Sequence, residues 1–207
     1  MKKSIFGIGV LILAILAGSV YAVSVEQSLS GGLVRLHVMA NSNAKYDQQI
    51  KLLVRDTVLS QVQEGISKNI SRDELLQKAD ALQQIAQNKL EELGVCYSAR
   101  VCVGNDYFPR KSYAKITLPA GRYDSIRIIL GEGAGENWWC VAYPPLCFVE
   151  GAVGEFSPEG EALLKRQLSP QSYELIQNTN DVEIRYRLKM VELFNEIREM
   201  MRKGKDA

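Results

Sequence analysis

Residues 137–148 read NWWCVAYPPLCF. Trp138 to Tyr143 is a continuous apolar run of strand length, consistent with a buried or central strand. Pro144 and Pro145 end it, because proline fixes φ and has no N–H to give to a ladder. Trp138 and Trp139 bring large aromatic area. Adjacent residues on a strand point to opposite faces, so one tryptophan can be buried while the other is exposed. The stretch supplies no base, no partnered nucleophile and no phosphate cradle. It reads as a rigid apolar platform, built to be held still and touched.

The segment before it is glycine-rich: Gly131, Gly133 and Gly135 in GEGAGENWWC. The spacing is not that of a dinucleotide fingerprint or a P-loop, and no helix follows to offer its N-terminus. Glu132 and Glu136 would repel a phosphate. A flexible loop is the expectation. Further upstream, Tyr123, Ile126, Arg127 and Leu130 fit a short helix. Residues 95–103 alternate as a strand, Asn105-Asp106 opens a turn, and 111–118 returns as the other half of a hairpin. Ser71 with Glu74 is a capping-box pattern for a helix that ends at Gly94. Ile50, Leu53, Val54, Val58 and Val62 stripe a preceding helix over 44–64. LVRLHVMA (33–40) alternates with Val34, Leu36, Val38 and Ala40 on one face and Arg35 and His37 on the other, a strand. Asn41-Ser42-Asn43 then supplies turn and cap residues.

Downstream, Ser157-Pro158 and Ser169-Pro170 each place a cap residue before a proline at the first helical position. VEIRYRL (182–188) alternates and predicts a strand with one wet face. From Met190 to Met201 the period becomes helical. Together these elements predict an α/β chain of the mixed α+β kind: one domain, residues 33–207, with a mixed sheet covered by amphipathic helices.

The N-terminus stands apart. Lys2 and Lys3 precede an apolar run from Ile5 to Val20, and Val20-Tyr21-Ala22 is a plausible cleavage tripeptide. Residues 1–22 are therefore expected to be a signal peptide, with a retained anchor as the alternative, and 23–32 a small polar linker. The formal net charge of the 207 residues is +1, and loss of Lys2 and Lys3 makes it −1. Near-neutrality argues against nucleic acid and against an electrostatic grip on anionic lipid. Export permits disulfides among the four cysteines. Cys96 and Cys102 would lie about 20 Å apart along one strand, too far to bridge. Cys140 with Cys147 across the Pro-Pro turn is the first choice, and crossed pairings stay open. A four-cysteine zinc site lacks the usual ligand spacing, so neither metal nor cofactor is expected.

Catalytic equipment is sparse. His37 is the single histidine, and no G-x-S-x-G elbow or H-E-x-x-H pair accompanies it. No pair of carboxylates stands out as a glycosidase would need. Trp138 and Trp139 are the better candidates, since tryptophan is enriched in interface hot spots. A binding or signalling protein is expected, with a secreted hydrolase acting on cell wall or peptide through His37 as the alternative.

The block Gly131 to Phe148, with NWWC and PPLCF, resembles the signature of the stage II sporulation protein R family. LVRLHVMANSN (33–43), LPAGRYDSIRIILGEG and VEIRYRLKMVELF are similar to the family in place and pattern. The resemblance implies a protein made in the forespore and exported into the space between the forespore and mother-cell membranes. There it would activate a membrane-embedded aspartic protease of the mother cell, which cleaves an inactive sigma-factor precursor. It implies no catalytic residues. The matching positions, and hence the candidate partner contacts, are Asn137, Trp138, Trp139, Pro144, Pro145, Leu146 and Phe148. The block also contains Cys140 and Cys147, which favours that disulfide over the crossed ones.

Overall fold

The structure, a computed structural model, describes residues 2–67, 71–113, 115–146, 158–177 and 182–204. Its centre is a four-stranded mixed sheet in the order β2-β5-β1-β6. Strand β1 (Val34–Met39) runs parallel to β5 (Gly121–Leu130) and antiparallel to β6 (Asn137–Tyr143). Strand β2 (Ala99–Phe108) pairs antiparallel with β5 from Ala99 opposite Leu130 to Phe108 opposite Gly121. A separate hairpin joins β3 (Lys111–Tyr113) and β4 (Ile116–Leu118).

The alternation of β1 explains the layers. Val34, Leu36 and Val38 point into one apolar cluster with Ile126, Ile128, Leu130 and Cys140. Helices α2 (Lys45–Ser67), α3 (Arg72–Leu76) and α4 (Ala79–Glu92) close that side through Val54, Val58, Leu75, Ala86 and Leu90. Ser71 caps α3, and its reciprocal bond with Glu74 completes the capping box. The opposite face carries Phe108, Tyr123 and Val141. Above it lie α1 (Lys2–Gly32), α5 (Pro158–Gln167), α6 (Pro170–Ile176) and α7 (Val182–Lys203). Ser169 caps α6 and Pro170 opens it.

Four expectations change. Residues 23–32 are no linker: α1 is continuous through Gly32, and Val25 and Leu29 are buried in the second cluster. The expected helix over 123–130 is strand β5. The expected hairpin turn at Asn105-Asp106 lies inside β2, which continues to Phe108, and the return segment splits into β3 and β4. The expected strand over 182–188 is the first two turns of α7. Of the two alternatives for β6, buried or central, the structure takes the first over its second half: β6 is an edge strand of the sheet. Its run is continuously apolar because both sheet faces are covered along its second half, where residues 140–143 are buried.

Candidate functional site

The carboxyl ends of the parallel neighbours β1 and β5 feed two loops that lock together. The Gly131–Asn137 loop donates its backbone to the loop after β1. Gly135 N–H bonds the Ala40 carbonyl at 2.9 Å, and Ala134 N–H bonds the Asn41 carbonyl at 3.1 Å. The Asn41 side-chain oxygen accepts from Glu132 N–H at 3.0 Å, and that of Asn43 from Glu136 N–H at 2.8 Å. Gly131 and Gly133 have φ of 55° and 64°, a left-handed region open to glycine. The glycine cluster is thus a clamped turn, where the sequence predicted a flexible loop.

Asp47 organises the other half of the lock. Its carboxylate accepts from Ser42 Oγ at 2.6 Å, Asn41 Nδ2 at 2.8 Å and Tyr97 Oη at 2.9 Å. The Ser42 hydroxyl first, then the Asn41 amide and the Tyr97 hydroxyl, hold the Asp47 carboxyl below its ordinary range against the opposing push of burial. Lys51 ties α2 to the turn through the Glu136 carbonyl at 2.9 Å.

This lock sets the start of β6, and with it both tryptophans. Trp138 lies on the α2 side, 38% exposed, with the Arg55 guanidinium 4.1 Å over its ring. Trp139 lies half-buried on the other side. It stacks on His37 at 3.8 Å between centroids and meets Phe108 edge-on at 5.0 Å. Asn137 is exposed and holds the His37 ring by a 2.8 Å bond to Nε2. The remaining candidates sit differently. Pro144 and Leu146 are buried and Pro145 is half-buried, so any effect they have on a partner passes through the shape of the strand end. Phe148 and Cys147 lie outside the described residues. Cys96 and Cys102 are free thiols.

The same face contains a serine, an acid and a histidine, but not in a relay. Ser125 Oγ donates directly to Asp106, and Asp106 pairs with Arg127 at 3.1 Å. His37 bonds Asn137 instead of a nucleophile. Burial pushes the His37 imidazole below its ordinary value of 6.5, aided by Arg127 and opposed by Asn137 and Asp106. A neutral ring wedged between two aromatics suits packing. The folded state therefore binds fewer protons at His37 than the unfolded state does. Its contribution to stability is complete above pH 6.5 and is lost as pH falls from there through the depressed value. Denaturant unfolding should show this loss on acidification. A His37→Gln variant should lose the part of that slope near pH 6.

Sequence reasoning missed Asn41, Ser42, Asp47 and Tyr97. The available signal was an excess of side-chain acceptors in Asn41-Ser42-Asn43, more than one helix cap uses.

Together these features define a mixed α/β domain on a long apolar N-terminal helix, presenting a clamped aromatic strand end. The model of stage II sporulation protein R matches residues 30–152. Stage II sporulation protein R of Bacillus subtilis (strain 168) is 33% identical over 175 residues, covering 78% of each chain. The chain belongs to the stage II sporulation protein R family and has a sporulation role. No solved structure matches it.

Proposed function

We propose that the chain is an exported sporulation signal and not itself a protease. It acts from the space between the forespore and mother-cell membranes on a membrane-embedded aspartic protease of the mother cell. That protease then processes an inactive sigma-factor precursor. The observation that carries the reading is the Asn137–Trp139 strand end: two tryptophans, accessible on opposite faces and braced from behind. Preorganised aromatic side chains are the residues from which hot spots are made. The family and the apolar helix α1 support a role at a membrane. The Cys140–Cys147 disulfide belongs to this reading; the free state of Cys96 and Cys102 supports it by setting the crossed pairings aside.

The test is reconstitution of the full-length chain, exported, with the protease and its precursor in a non-sporulating host. Chain-dependent cleavage of the precursor is the expected result. No cleavage by a folded, exported chain would overturn the proposal and return attention to a hydrolase acting through His37. In the same assay, Trp138→Ala should weaken activation by about tenfold or more, as for an interface hot spot. Its denaturant midpoint should fall by less than that of Trp139→Ala, because the Trp138 side chain is 38% exposed and packs chiefly on Arg55. Trp139→Ala should lower both readouts, because it also removes the stack on His37.

A further inference from the structure

Strand β2 forms the other edge of the sheet. Gly131 N–H bonds the Ser98 carbonyl at 2.9 Å, and Ala99 lies opposite Leu130. In an antiparallel ladder such bonded pairs alternate with unbonded ones. Even-numbered residues of β2 therefore turn their backbone groups to β5, and odd-numbered residues turn theirs to the open edge. Helix α4 covers the first half of that edge. Gln87 Oε1 accepts from Ala99 N–H at 3.0 Å, and Gln83 Oε1 accepts from Val101 N–H at 2.9 Å. Four helix residues rise about 6 Å and two strand residues about 6.6 Å, so the spacings match. One turn further back stands Ala79, the first residue of α4, which has no side-chain acceptor. From Val103 on, the edge is bare. Among the described residues, the outward N–H groups of Val103, Asn105 and Tyr107 have no hydrogen-bond partner. The Asn105 carbonyl accepts from Arg122 Nη2 at 2.6 Å and keeps a second lone pair.

A row of outward donors and acceptors takes a further strand. The residues of β2 fit a second copy of the same strand. Laid antiparallel on itself about a twofold axis at Asn105, β2 sets Val103 opposite Tyr107 of the second copy and Asn105 opposite its own copy. Each of these pairs exchanges both N–H···O bonds, so every bare N–H from 103 to 107 is used. The next opposition sets Val101, whose N–H is held by Gln83, against Pro109, which has no N–H to give. The ladder thus ends without leaving a donor unpaired, and β2 itself ends at Phe108. A slip of two residues loses this match: it places Tyr107 against the occupied Val101 in one direction, or Val103 against Pro109 in the other. The side chains agree with the same register. Val103, 39% exposed, meets Tyr107 in a β-branched–aromatic cross-strand pair. Asp106 falls opposite Gly104, where a Cβ would have no neighbour closer than 3.8 Å, so like charges do not face each other.

We propose that the bare half of β2 is a homodimer surface, through which two copies join edge to edge into one continuous sheet. The contact is isologous, as a twofold axis requires. Gln83 and Gln87 set the length of the shared ladder, and the two β6 strands with their tryptophans remain at the outer edges of the joined sheet.

The test uses the full-length chain in mild detergent, with Cys96 and Cys102 replaced by serine and one new cysteine, under mild oxidation. Across the axis the two Cα atoms at 105 would lie about 5.5 Å apart, within disulfide reach. Those at 103 would be offset by about 13 Å along the strands. Asn105→Cys is expected to give a covalent dimer. Val103→Cys and Tyr107→Cys are each expected to give none alone and to cross-link when mixed. Asn105 also bonds Arg122 and Asp124, so the mixed pair decides the matter if that replacement disturbs the strand. Without oxidant, sedimentation should show a concentration-dependent dimer. Val103→Lys should raise its dissociation constant tenfold or more and leave the circular dichroism spectrum unchanged. Cross-linking of Val103→Cys alone as strong as that of Asn105→Cys would indicate unspecific encounter in the micelle and overturn the proposal. Failure of both Asn105→Cys and the mixture would overturn it too, and leave the bare edge to a strand of another protein.

Discussion

Gly135→Ala should unfold the site and cost the domain about 3 kcal/mol or more, at the upper end of overpacking penalties. A Cβ at this position would lie 2.3 Å from the Ser42 carbonyl oxygen and 2.6 Å from its carbon. Those are backbone atoms, and they are fixed. Ser42 C=O accepts from Gln48 at 2.8 Å, and Gly135 N–H is itself bonded to Ala40 at 2.9 Å. Relief requires parting the two loops, which sacrifices the Asn41 and Asn43 bonds to the turn. For a domain of this size the loss corresponds to a Tm lower by roughly 6–12 °C. Gly104→Ala is the control. Its nearest neighbour, Asp106 Oδ2, is 3.8 Å away, so the change should stay within about 0.5 kcal/mol. Thermal unfolding of both variants decides the matter. Equal midpoints would mean that the lock is soft and that β6 is held elsewhere.

That prediction concerns the part of the site least legible in the sequence. The glycine spacing excludes a phosphate loop, but it does not reveal the partner of the turn. The partner is Asn41-Ser42-Asn43, ninety residues away in the chain. A hydrogen-bonded match between two polar loops leaves no periodicity in either of them. The tryptophans were legible because aromatic size and strand alternation are local properties. Which parts of the NWWC…PPLCF block reach solvent was not, since burial depends on what the other elements cover.

The fold divides along the same line. Elements with one apolar face, such as β1, read correctly, and the helix expected from Ser71 to Gly94 is present but broken at Gln77 and Lys78 into α3 and α4. The errors fall on elements with two. In α7, positions two apart lie on nearly opposite sides of a helix with 3.6 residues per turn. Ile184 and Leu188 point inward while Val182 and Tyr186 point outward. With both sides apolar, even-numbered positions imitate a strand. Strand β5 is the converse case. It lies between β1 and β2, and its buried side changes midway: Gly121, Tyr123 and Ser125 are buried in the first half, Ile126, Ile128 and Leu130 in the second. Residues from Tyr123 to Leu130 therefore include apolar groups at helical spacings by chance. The β-branched run Ile126, Ile128 and Ile129 was the better guide. In α1, small and polar residues 23–32 hide a helix because Val25 and Leu29 alone reach the core.

Arg35→Ala should be the most damaging change in the sheet, destabilising the domain by about 3–5 kcal/mol, whereas Arg35→Met should fall within about 1.5 kcal/mol of the parent. Arg35 is fully buried on β1. Its Cζ lies 4.6 Å from the Phe108 centroid and 5.0 Å from that of Tyr123. Nε donates to the Cys140 carbonyl at 3.0 Å and Nη2 to the Tyr113 hydroxyl at 3.2 Å. Among the described residues no carboxylate pairs with it, and Nη1 has no hydrogen-bond partner. A buried cation without a counter-ion carries a desolvation cost of several kcal/mol. Desolvated contacts with aromatic faces, worth about 2 kcal/mol each, offset much of it. Alanine removes the contacts and leaves a cavity among three aromatic rings. Methionine fills most of that volume and removes the charge, at the cost of leaving the Cys140 carbonyl without this donor, about 1–3 kcal/mol. Denaturant unfolding of the full-length chain in mild detergent separates the two. If methionine proves as harmful as alanine, the guanidinium itself holds the sheet together. If methionine is tolerated, Arg35 serves chiefly to fix the backbone of β6 behind Trp139. The methionine variant should then keep its fold and weaken activation, because the Cys140 carbonyl behind Trp139 is no longer held by Arg35 and the strand end is left tied to β1 through the His37 contacts with Asn137 and Trp139.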